Sequence, residues 1–440
     1  MSGNIQKKYL KPYSVWAIFM ILTAVYGTIL ALISGHNIFE GLWTIFTSRA
    51  LLPTDYITLT GSPGIALINS ALAGLLALII FKLAKLEISG LQMGAFGLIM
   101  GFALFGKNPV NMLPIFIGAY VYSLYKKRPY KEHVTLSAFS TCLAPVVSQP
   151  AHVSQFVNMF GMVGAVAFGA FLGICIGFFI NSMGVFIKKS HEGLNLYNVG
   201  WGAGLLSIAL TMIYNTLGID QGYFVGAGAH PAAAYNNIVL GSYLAGTAVF
   251  FLIVGFLAKP SLNIPAILNM KADDNDFFKK HGAGDTYVAM GLLSILAIIL
   301  MAVFRVNYGG AVLGSIISMV GWGGFGKSFA NSFAIISGVI LGGLARFLII
   351  GDAAVFAMSH VSIWTSAFWG TCLSPMAKFF GWKWALAIGF LHFTFAFSIA
   401  PFHWGQNLYN NGLAAGFVCV VMIPVIRAFD KKGKYNPKTS

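Results

Sequence analysis

Hydrophobic residues in this chain are gathered into long runs that are separated by short polar segments. Seven apolar stretches can be recognised in each half of the chain. Their approximate bounds are 14–34, 64–81, 90–105, 109–125, 134–147, 161–187 and 199–214 in the first half, and 238–257, 287–304, 309–324, 329–350, 361–377, 382–400 and 413–426 in the second. Several contain about 14 to 17 residues, fewer than the roughly 20 that a helix needs to cross a bilayer. The pattern predicts an all-α, polytopic transmembrane bundle with about 10 to 14 crossings, in which some short stretches are half-helices or re-entrant hairpins.

The composition supports a membrane protein. Hydrophobic residues make up 58% of the 440 residues, charged residues make up 9%, and the mean hydropathy is +0.79. A water-soluble domain of this composition would expose large apolar patches. The net charge of +15 does not indicate nucleic-acid binding, because the basic residues form short clusters between apolar stretches, as topology signals do. The four cysteines have no CxxC or Cys/His spacing, so we expect no disulfide framework, metal or cofactor.

Three motifs occur twice in the chain, in the same order. Their first residues are Phe105 and Phe325 for Phe-Gly-Lys, Thr141 and Thr371 for Thr-Cys-Leu-x-Pro, and His191 and His403 for His-x3-Asn-Leu-Tyr-Asn, with offsets of 220, 230 and 212. In a membrane protein, a duplicated half is first of all typical of a transporter. We predict two transmembrane repeats, residues 1–221 and 222–440, with a cytoplasmic linker loop at 259–284.

The positions of the basic residues predict how the chain is threaded. With the N-terminus inside, 23 of the 27 basic residues (27 − 4) lie on the cytoplasmic side, in agreement with the positive-inside rule. The four exceptions are Arg49, Lys107, Arg305 and Arg346. Each half has seven crossings, or five if stretches three and four form a re-entrant hairpin with Lys107 at its tip. Both numbers are odd, so the second repeat is predicted to be inverted. Both termini are then cytoplasmic, and Lys7, Lys8 and Lys11 before the first stretch form a signal anchor. We expect a bacterial inner membrane.

The first motif places a lysine immediately before a helix in each half. Asn108-Pro109 follows Lys107 and Ser328 follows Lys327, and Asn, Ser and Pro are favoured at helix N-termini. Lysine charge and helix dipole would together attract an anion or the electronegative end of a polar solute. The alternative is a pair of interfacial lysines that extend to lipid headgroups. The predicted solute-binding residues of this motif are Lys107, Asn108, Asn111, Lys327, Ser328 and Asn331.

The other two motifs add polar groups within apolar surroundings. Thr141 and Thr371 would offer hydroxyls to a solute, or else bond to their own backbone where helices pack closely. The third motif predicts a gate or a binding wall beside a glycine-rich helix start, because such polar groups are costly at membrane depth unless they line water or bond to one another. The alternative is an interfacial belt. Its predicted site residues are His191, Asn195, Tyr197, Asn198, His403, Asn407, Tyr409 and Asn410.

Carboxylates are absent from the interior of the apolar stretches; Asp55, Asp285 and Asp352 come closest. Proton- and sodium-coupled carriers usually need a carboxylate in their path. The sequence therefore favours facilitated passage, or an anion carrier that uses Lys107 and Lys327.

The motifs Phe-Gly-Lys-Asn with the following Pro-Ile-x-Gly, Thr-Cys-Leu-Ala-Pro and His-Glu-Gly-Leu-Asn-Leu-Tyr-Asn resemble those of a bacterial family of uncharacterised multi-pass membrane proteins, in which a domain of unknown function occurs in tandem. The resemblance covers nearly the whole chain and implies no activity. The second copy diverges, since Ser328 replaces Asn108 and Ala334 replaces Pro114. The architecture is loosely similar to urea transporters and to seven-plus-seven anion and nucleobase carriers, which is an analogy of fold alone.

The leading prediction is a transporter or channel that moves a small polar or anionic solute between inverted repeats, and not an enzyme. The alternative is an intramembrane enzyme, a hydrolase or lipid-modifying transferase, that uses the His, Asn and Tyr of the third motif. A purely structural membrane subunit would leave the polar motifs unexplained. The expected partners are membrane lipids and the solute, with no nucleic acid; a homo-oligomer stays open.

Overall fold

The structure is a computed structural model that describes residues 11–222, 237–270, 276–351, 357–430 and 433–435. Lys7, Lys8, Asp352 and residues 271–275 of the predicted linker lie outside the described residues. The α-helices of the described part are α1 Pro12–Ile33, α2 Ile38–Phe46, α3 Tyr56–Thr60, α4 Pro63–Leu83, α5 Gly90–Phe102, α6 Pro109–Lys126, α7 Val134–Ser140, α8 Ala144–Ser148, α9 Ser154–Ser190, α10 Asn198–Thr216, α11 Asn237–Leu257, α12 Ile264–Leu268, α13 Phe277–Val303, α14 Gly310–Gly321, α15 Phe329–Ile350, α16 Val361–Gly370, α17 Ser374–Phe380, α18 Trp382–Ser398 and α19 Asn410–Ala428.

The predicted all-α membrane bundle is confirmed. Within the described residues, seven helices are long and apolar enough to cross a membrane, and large apolar side chains on their outer faces are exposed, as a lipid-facing surface requires. Each predicted apolar stretch coincides with a helix or a broken helix. The breaks fall at the three-residue 3₁₀ turns Thr141–Leu143 and Thr371–Leu373, within the second motif. The chain is therefore an integral membrane protein with several membrane-spanning helices.

Helices α5 and α6 form a V-shaped pair with Lys107 at its apex. Helix α5 has 13 residues, runs antiparallel to α4 and ends where the amide of Asn69 donates to the Lys107 carbonyl at 2.9 Å. The chain then reverses, because Tyr120 in the middle of α6 lies in the same groove as Leu83 at the end of α4. Gly106 permits the reversal with φ of 69°. The pair α14 and α15 repeats this arrangement around Lys327, after Gly326 with φ of 105°.

Helices α5 and α14, which correspond at an offset of 220, cross each other in an antiparallel sense. Gly97 lies beside Gly321 and Gly101 beside Gly314, so residue numbers rise along α5 in the direction in which they fall along α14. Glycine is required at the crossing, because a Cβ on Gly101 would lie 2.3 Å from the Gly314 carbonyl oxygen. Close backbone approach therefore joins the two halves at their centre.

A second pair of corresponding helices, α10 and α19, meets in the same way. A Cβ on Gly200 would lie 2.9 Å from the Cα of Gly412, its counterpart at an offset of 212. Gly204 lies beside Leu413 and Gly416 beside Trp201, so these helices are also antiparallel. Gly200 and Gly412 are therefore counterparts that face each other, whereas Gly101 and Gly314, which face each other at the crossing of α5 and α14, are not counterparts.

Polar contacts between the halves are reciprocal as well. Asp55 accepts a hydrogen bond from the first amide of α14, Gly310, at 2.6 Å, and Asp276 accepts one from the first amide of α5, Gly90, at 2.9 Å. Each carboxylate lies at the positive end of a helix of the other half, where it is stabilised. Neither half completes these short helices alone.

Candidate functional site

The two motif lysines lie inside the protein, at the apices of the V-shaped pairs. Their exposed fractions are 1% for Lys107 and 0% for Lys327. Each ammonium donates to a threonine hydroxyl of the second motif at 2.7 Å, Lys107 to Thr141 and Lys327 to Thr371. Each hydroxyl in turn donates at 2.6 Å to a carbonyl three residues earlier. The lysines therefore connect the first motif to the break in the second, and lipid headgroups are not their partners.

The residues after each lysine cap the next helix, as predicted. The side-chain oxygens of Asn108 and Ser328 accept from backbone amides of the first turn, while Asn111 and Asn331 reach back to the capping residue's own amide at 2.8 and 3.0 Å. These are two complete capping boxes. The four side chains hold the apex of each pair in place.

Six aromatic rings fill the space between the lysines, and we call them the aromatic barrier. Its members are Phe102, Phe139, Tyr197, Trp322, Trp369 and Tyr409. The rings pair across the halves: Phe102 stacks on Trp369 with centroids 4.6 Å apart, and Phe139 stacks on Trp322 at 5.6 Å. The two motif tyrosines meet at the centre, 4.9 Å apart. Stacked and edge-to-face pairs of this kind are favourable arrangements of aromatic rings.

The ammonium groups of both lysines contact rings of the aromatic barrier. The Lys107 ammonium lies 4.8 Å from the centroid of Phe102, and the Lys327 ammonium lies 4.5 Å from that of Tyr197. Both distances suit a cation–π interaction. Lys327 also donates to the Tyr197 hydroxyl at 2.9 Å, whereas the hydroxyl of Tyr409 has no hydrogen-bond partner within the described residues.

The third motif forms the same small network in both halves. The ring of His191 bonds to Asn198 at 2.7 Å, and that of His403 bonds to Asn410 at 2.9 Å. The side chains of Asn195 and Asn407 accept from the amides of the tyrosines two residues later, at 2.9 and 3.0 Å. A further pair of bonds ties each motif to the broken helix of the other half, from Leu196 to the Cys372 carbonyl and from Leu408 to the Cys142 carbonyl, both at 3.0 Å.

A recess lies on each side of the aromatic barrier, and the two are built from corresponding positions. The wide recess has a volume of about 400 Å³ and the narrow recess a volume of about 30 Å³. Corresponding lining residues, with the wide recess first, are Leu91 and Ala311, Thr135 and Thr365, Leu136 and Ser366, Phe139 and Trp369, Gly184 and Ala396, Leu196 and Leu408, and Asn198 and Asn410. The wide recess also reaches Glu132 and His133, in the loop that follows α6.

One hydrogen bond distinguishes the two recesses. In the narrow recess the amide of Asn410 donates to the Ala396 carbonyl at 2.8 Å, which joins α19 to α18. In the wide recess the corresponding residues Asn198 and Gly184 both line the open space. Within the described part of the chain, no hydrogen bond joins Asn198 to Gly184.

The predicted site residues therefore divide into two groups. Tyr197, Asn198, Tyr409 and Asn410 line a recess. The lysines, threonines, Asn108, Asn195, Ser328, Asn331, Asn407 and both histidines support the barrier or cap helices, and Asn111 lies in a separate groove. Direct contact of these residues with a solute stays a prediction.

Sequence reasoning missed the four other barrier rings and the carboxylate caps. The aromatic pair Phe102 and Trp322 is visible in the sequence, since it precedes the first motif at the same offset of 220. Asp55 and Asp276 each precede an aromatic residue that starts a helix, which is a capping signal. Asp285, which the sequence placed close to an apolar stretch, accepts from the backbone of Ser261 and Leu262 at 2.8 and 2.9 Å and serves the loop between α11 and α12.

The geometry can be set beside known proteins. No curated protein and no solved structure matches this chain. A protein family does match, over residues 34–216 and again over 262–428, and these segments contain both copies of all three motifs. The predicted junction at 221/222 falls between the matched segments. Because the match covers well over half of the chain, this protein belongs to the family described as "Protein of unknown function (DUF1576)".

Proposed function

We propose that this protein is a membrane transporter that moves a small polar or anionic solute through a path between two inverted repeats, by alternating access. The observation that carries the proposal is the unequal pair of recesses on the two sides of one aromatic barrier. A carrier exposes its site to one side of the membrane at a time, so a single conformation has one open and one closed vestibule.

The inversion of the repeats is supported by the helix crossings. Helices α5 and α14 occupy corresponding positions in the sequence, pack against each other and point in opposite directions. Helices α10 and α19 do the same. Two copies related by a pseudo-two-fold axis in the membrane plane would have this arrangement. The V-shaped pairs then enter from opposite faces, which favours five full crossings in each half.

Helix position, and not side-chain size, accounts for most of the closure. Two of the narrow-recess residues, Ala311 and Ser366, are smaller than their counterparts Leu91 and Leu136. Two others, Trp369 and Ala396, are larger than their counterparts Phe139 and Gly184, but the narrow recess has less than a tenth of the volume of the wide one. The bond from Asn410 to the Ala396 carbonyl draws α18 and α19 together and so closes this side.

The proposed cycle exchanges the two recesses. In the opposite state the amide of Asn198 bonds to the Gly184 carbonyl, the bond from Asn410 breaks, and the aromatic barrier passes the solute from one side to the other. The two states would differ by only a few hydrogen bonds, so a solute can shift the balance.

The orientation follows from charge. The wide recess opens beside the loop that carries Lys126, Lys127, Arg128 and Lys131. The positive-inside rule assigns this loop to the cytoplasm, so the proposed state is inward-open, in a bacterial inner membrane with both termini cytoplasmic.

Catalysis is the weaker interpretation. Both ring nitrogens of His403 are engaged, one with Asn410 and the other with the amide of Asn407 at 3.4 Å, and His191 makes the corresponding contacts. A general base needs a free nitrogen directed at its substrate. These histidines instead fix the start of the following helix.

Cysteine accessibility tests the alternation. Leu136→Cys in the wide recess and Ser366→Cys in the narrow recess occupy corresponding positions and would each be made in a background without native cysteines. A membrane-impermeant maleimide should label Leu136→Cys rapidly in sealed inverted vesicles, which expose the cytoplasmic face. It should label Ser366→Cys slowly in sealed right-side-out vesicles, which expose the opposite face. Rapid labelling of both, each from its own side, would instead indicate a continuous channel and exclude the alternating carrier.

The role of the lysines needs a flux measurement. Proteoliposomes would be screened for uptake of small polar and anionic solutes, and the active solute repeated with Lys107→Ala and Lys327→Ala. Loss of uptake in both variants supports a path between the halves. Uptake of no solute, with turnover of an added lipid or peptide, would favour the enzyme.

A further inference from the structure

The residues that line the wide recess indicate which kind of solute it would bind. Its walls are formed by four rings of the aromatic barrier and by leucine side chains, with an asparagine on each of two helices, Asn181 of α9 and Asn198 of α10. Its volume of about 400 Å³ lies in the range of sites for small organic molecules. Apart from the tyrosines, the ionisable residues among its lining are Glu132 and His133, and Glu132 is exposed at the mouth.

The charge distribution disfavours an ion in this recess. The Lys107 ammonium donates to Thr141 and the Lys327 ammonium donates to Thr371 and Tyr197, and neither lysine lines the recess. The residues of the aromatic floor, Phe139, Tyr197, Trp322 and Tyr409, offer no charged partner to an anion or to a cation. A buried ion without a partner is costly, so the recess suits an uncharged molecule.

The shape of the floor suits a flat molecule. The ring planes of Phe139 and Trp322 lie within 25° of each other, and the rings of Tyr197 and Tyr409 adjoin them. Aromatic surfaces of this kind bind planar, unsaturated rings by offset stacking better than they bind puckered, saturated ones.

The two asparagines place one acceptor and one donor at the lining of the recess. The Oδ1 atom of Asn181 is buried and makes no hydrogen bond of standard geometry within the described residues, and the ring of His133 lies close enough to interact with this side chain. The amide nitrogen of Asn181 donates to the Gly177 carbonyl at 2.7 Å. The Oδ1 atom of Asn198 is occupied by His191, and no described residue accepts from its amide nitrogen. In the closed recess the corresponding nitrogen of Asn410 donates to a carbonyl. A solute carbonyl would take the place of that carbonyl, and a solute N–H would bond to Asn181.

We propose that the wide recess binds an uncharged, planar ring compound with a carboxamide or lactam edge, an inference that rests on the proposed transport function for its biological meaning. The ring lies against Phe139 and Trp322. The carbonyl of the edge accepts from Asn198 and its N–H donates to Asn181. When the solute leaves, Asn198 becomes free to bond to Gly184 and to close the recess.

Three probes of similar size separate the parts of this proposal. Benzamide is planar and uncharged, benzoate keeps the ring but carries a negative charge, and cyclohexanecarboxamide keeps the amide but is saturated. Calorimetric titration of the purified full-length protein in detergent should give saturable binding of benzamide. The other two should bind at least about tenfold more weakly. Equal or tighter binding of benzoate overturns the uncharged solute, equal binding of cyclohexanecarboxamide overturns the planar one, and no binding of any probe overturns the proposal.

Matched variants locate the site. Asn198→Asp keeps the acceptor for His191 and removes the donor, and Asn181→Leu removes the acceptor; each should weaken benzamide binding about tenfold or more. Ser182→Ala, an exposed neighbour on the same helix, should bind benzamide as the unsubstituted protein does. Unchanged binding in both asparagine variants, with unchanged melting temperatures, would place the probe elsewhere and overturn the proposal.

The binding and transport claims fail separately. Benzamide binding that depends on Asn198, without flux of benzamide or any other solute in proteoliposomes, would retain the site and reject the transporter. Flux of another solute, with no benzamide binding and no competition by benzamide, would retain the transporter and reject this site.

Discussion

The wide and narrow recesses use corresponding residues from two copies of one sequence pattern, but only one of them is open. In the narrow recess Asn410 donates to Ala396, whereas in the wide recess Asn198 and Gly184 are apart. The lysine–threonine bonds and the histidine–asparagine bonds are repeated on both sides, and the additional bond from Lys327 to Tyr197 has no counterpart at Lys107 within the described residues. The comparison teaches that the framework is symmetric and that a few contacts at its edges select which side is open.

Breaking the shared framework should have the largest effect. Gly101→Ala places a Cβ 2.3 Å from the Gly314 carbonyl oxygen and 2.4 Å from the Ser318 hydroxyl, and neither helix can withdraw without disturbing the crossing. We expect a loss of about 2 to 3 kcal/mol in stability, measured as the melting temperature in detergent. Gly246→Ala, in a helix position with no atom within 4 Å of the added Cβ, is the control. Equal melting temperatures for the two variants would contradict the crossing.

The two carboxylate caps should differ in importance. Asp55 is 8% exposed and accepts from the Ile57, Thr58 and Gly310 amides, so Asp55→Ala leaves buried donors without a partner and should cost about 2 kcal/mol. Asp276 lies nearer the surface, where water replaces the lost acceptor, and Asp276→Ala should cost about 1 kcal/mol. Thermal unfolding of the two variants side by side checks the order. A larger loss for Asp276→Ala would show that the halves are not joined as described.

The asparagine that lines each recess can be replaced separately, and only Asn410 makes the hydrogen bond to the Ala396 carbonyl that closes the narrow recess. Asn410→Ala loses the bonds to His403 and to the Ala396 carbonyl, whereas Asn198→Ala loses only the bond to His191. The first variant should therefore lose about 1 kcal/mol more, and it should also label faster at Ser366→Cys, because the narrow recess opens more often. Unchanged labelling at that position would mean that the asparagine does not control closure.

The two motif lysines differ in the number of hydroxyls to which they donate, so their replacement should have different effects on stability. Lys327→Met deprives the hydroxyls of Thr371 and Tyr197 of a donor, whereas Lys107→Met deprives only that of Thr141. In both variants methionine fills a similar volume and removes a buried charge. The difference in stability between the two variants is therefore more informative than the stability of either one. We expect Lys327→Met to be less stable than Lys107→Met by about 1 kcal/mol, from paired melting curves. The reverse order would contradict the extra bond to Tyr197.

The smallest effect concerns a contact outside the membrane. Glu192 forms a bidentate salt bridge with Arg427 at 2.7 and 2.6 Å, and the hydrogen bonds from the guanidinium lower the pKa of Glu192. A lowered pKa stabilises the protein above the ordinary glutamate pKa, and this stability is lost as the pH falls through the lowered value. Glu192→Gln should cost about 0.5 kcal/mol or less at pH 7, and the difference in melting temperature should vanish in acid. A difference that persists below about pH 3 would assign it to packing.

Much of the fold could be predicted from local sequence. The apolar stretches gave the helices, and Pro109 with Asn108 gave the start of α6, since caps and hydropathy act within a few residues. The repeated motifs also placed Tyr197 and Tyr409 at corresponding positions, and these residues lie at the centre of the barrier. The predicted contact of Lys107 with a solute could not be decided in this way, because the direction of its ammonium depends on Thr141, 34 residues away.

The sequence by itself determined the membrane class, the break points of the helices and the order of the paired motifs, because each depends on neighbours in the chain. Only the tertiary structure decided that Asp55 caps a helix 255 residues away, that the lysines lie behind an aromatic barrier, and that one recess is open while the other is closed. These features arise where the two halves touch, and the contacts between corresponding residues of a duplicated chain are set by packing in three dimensions.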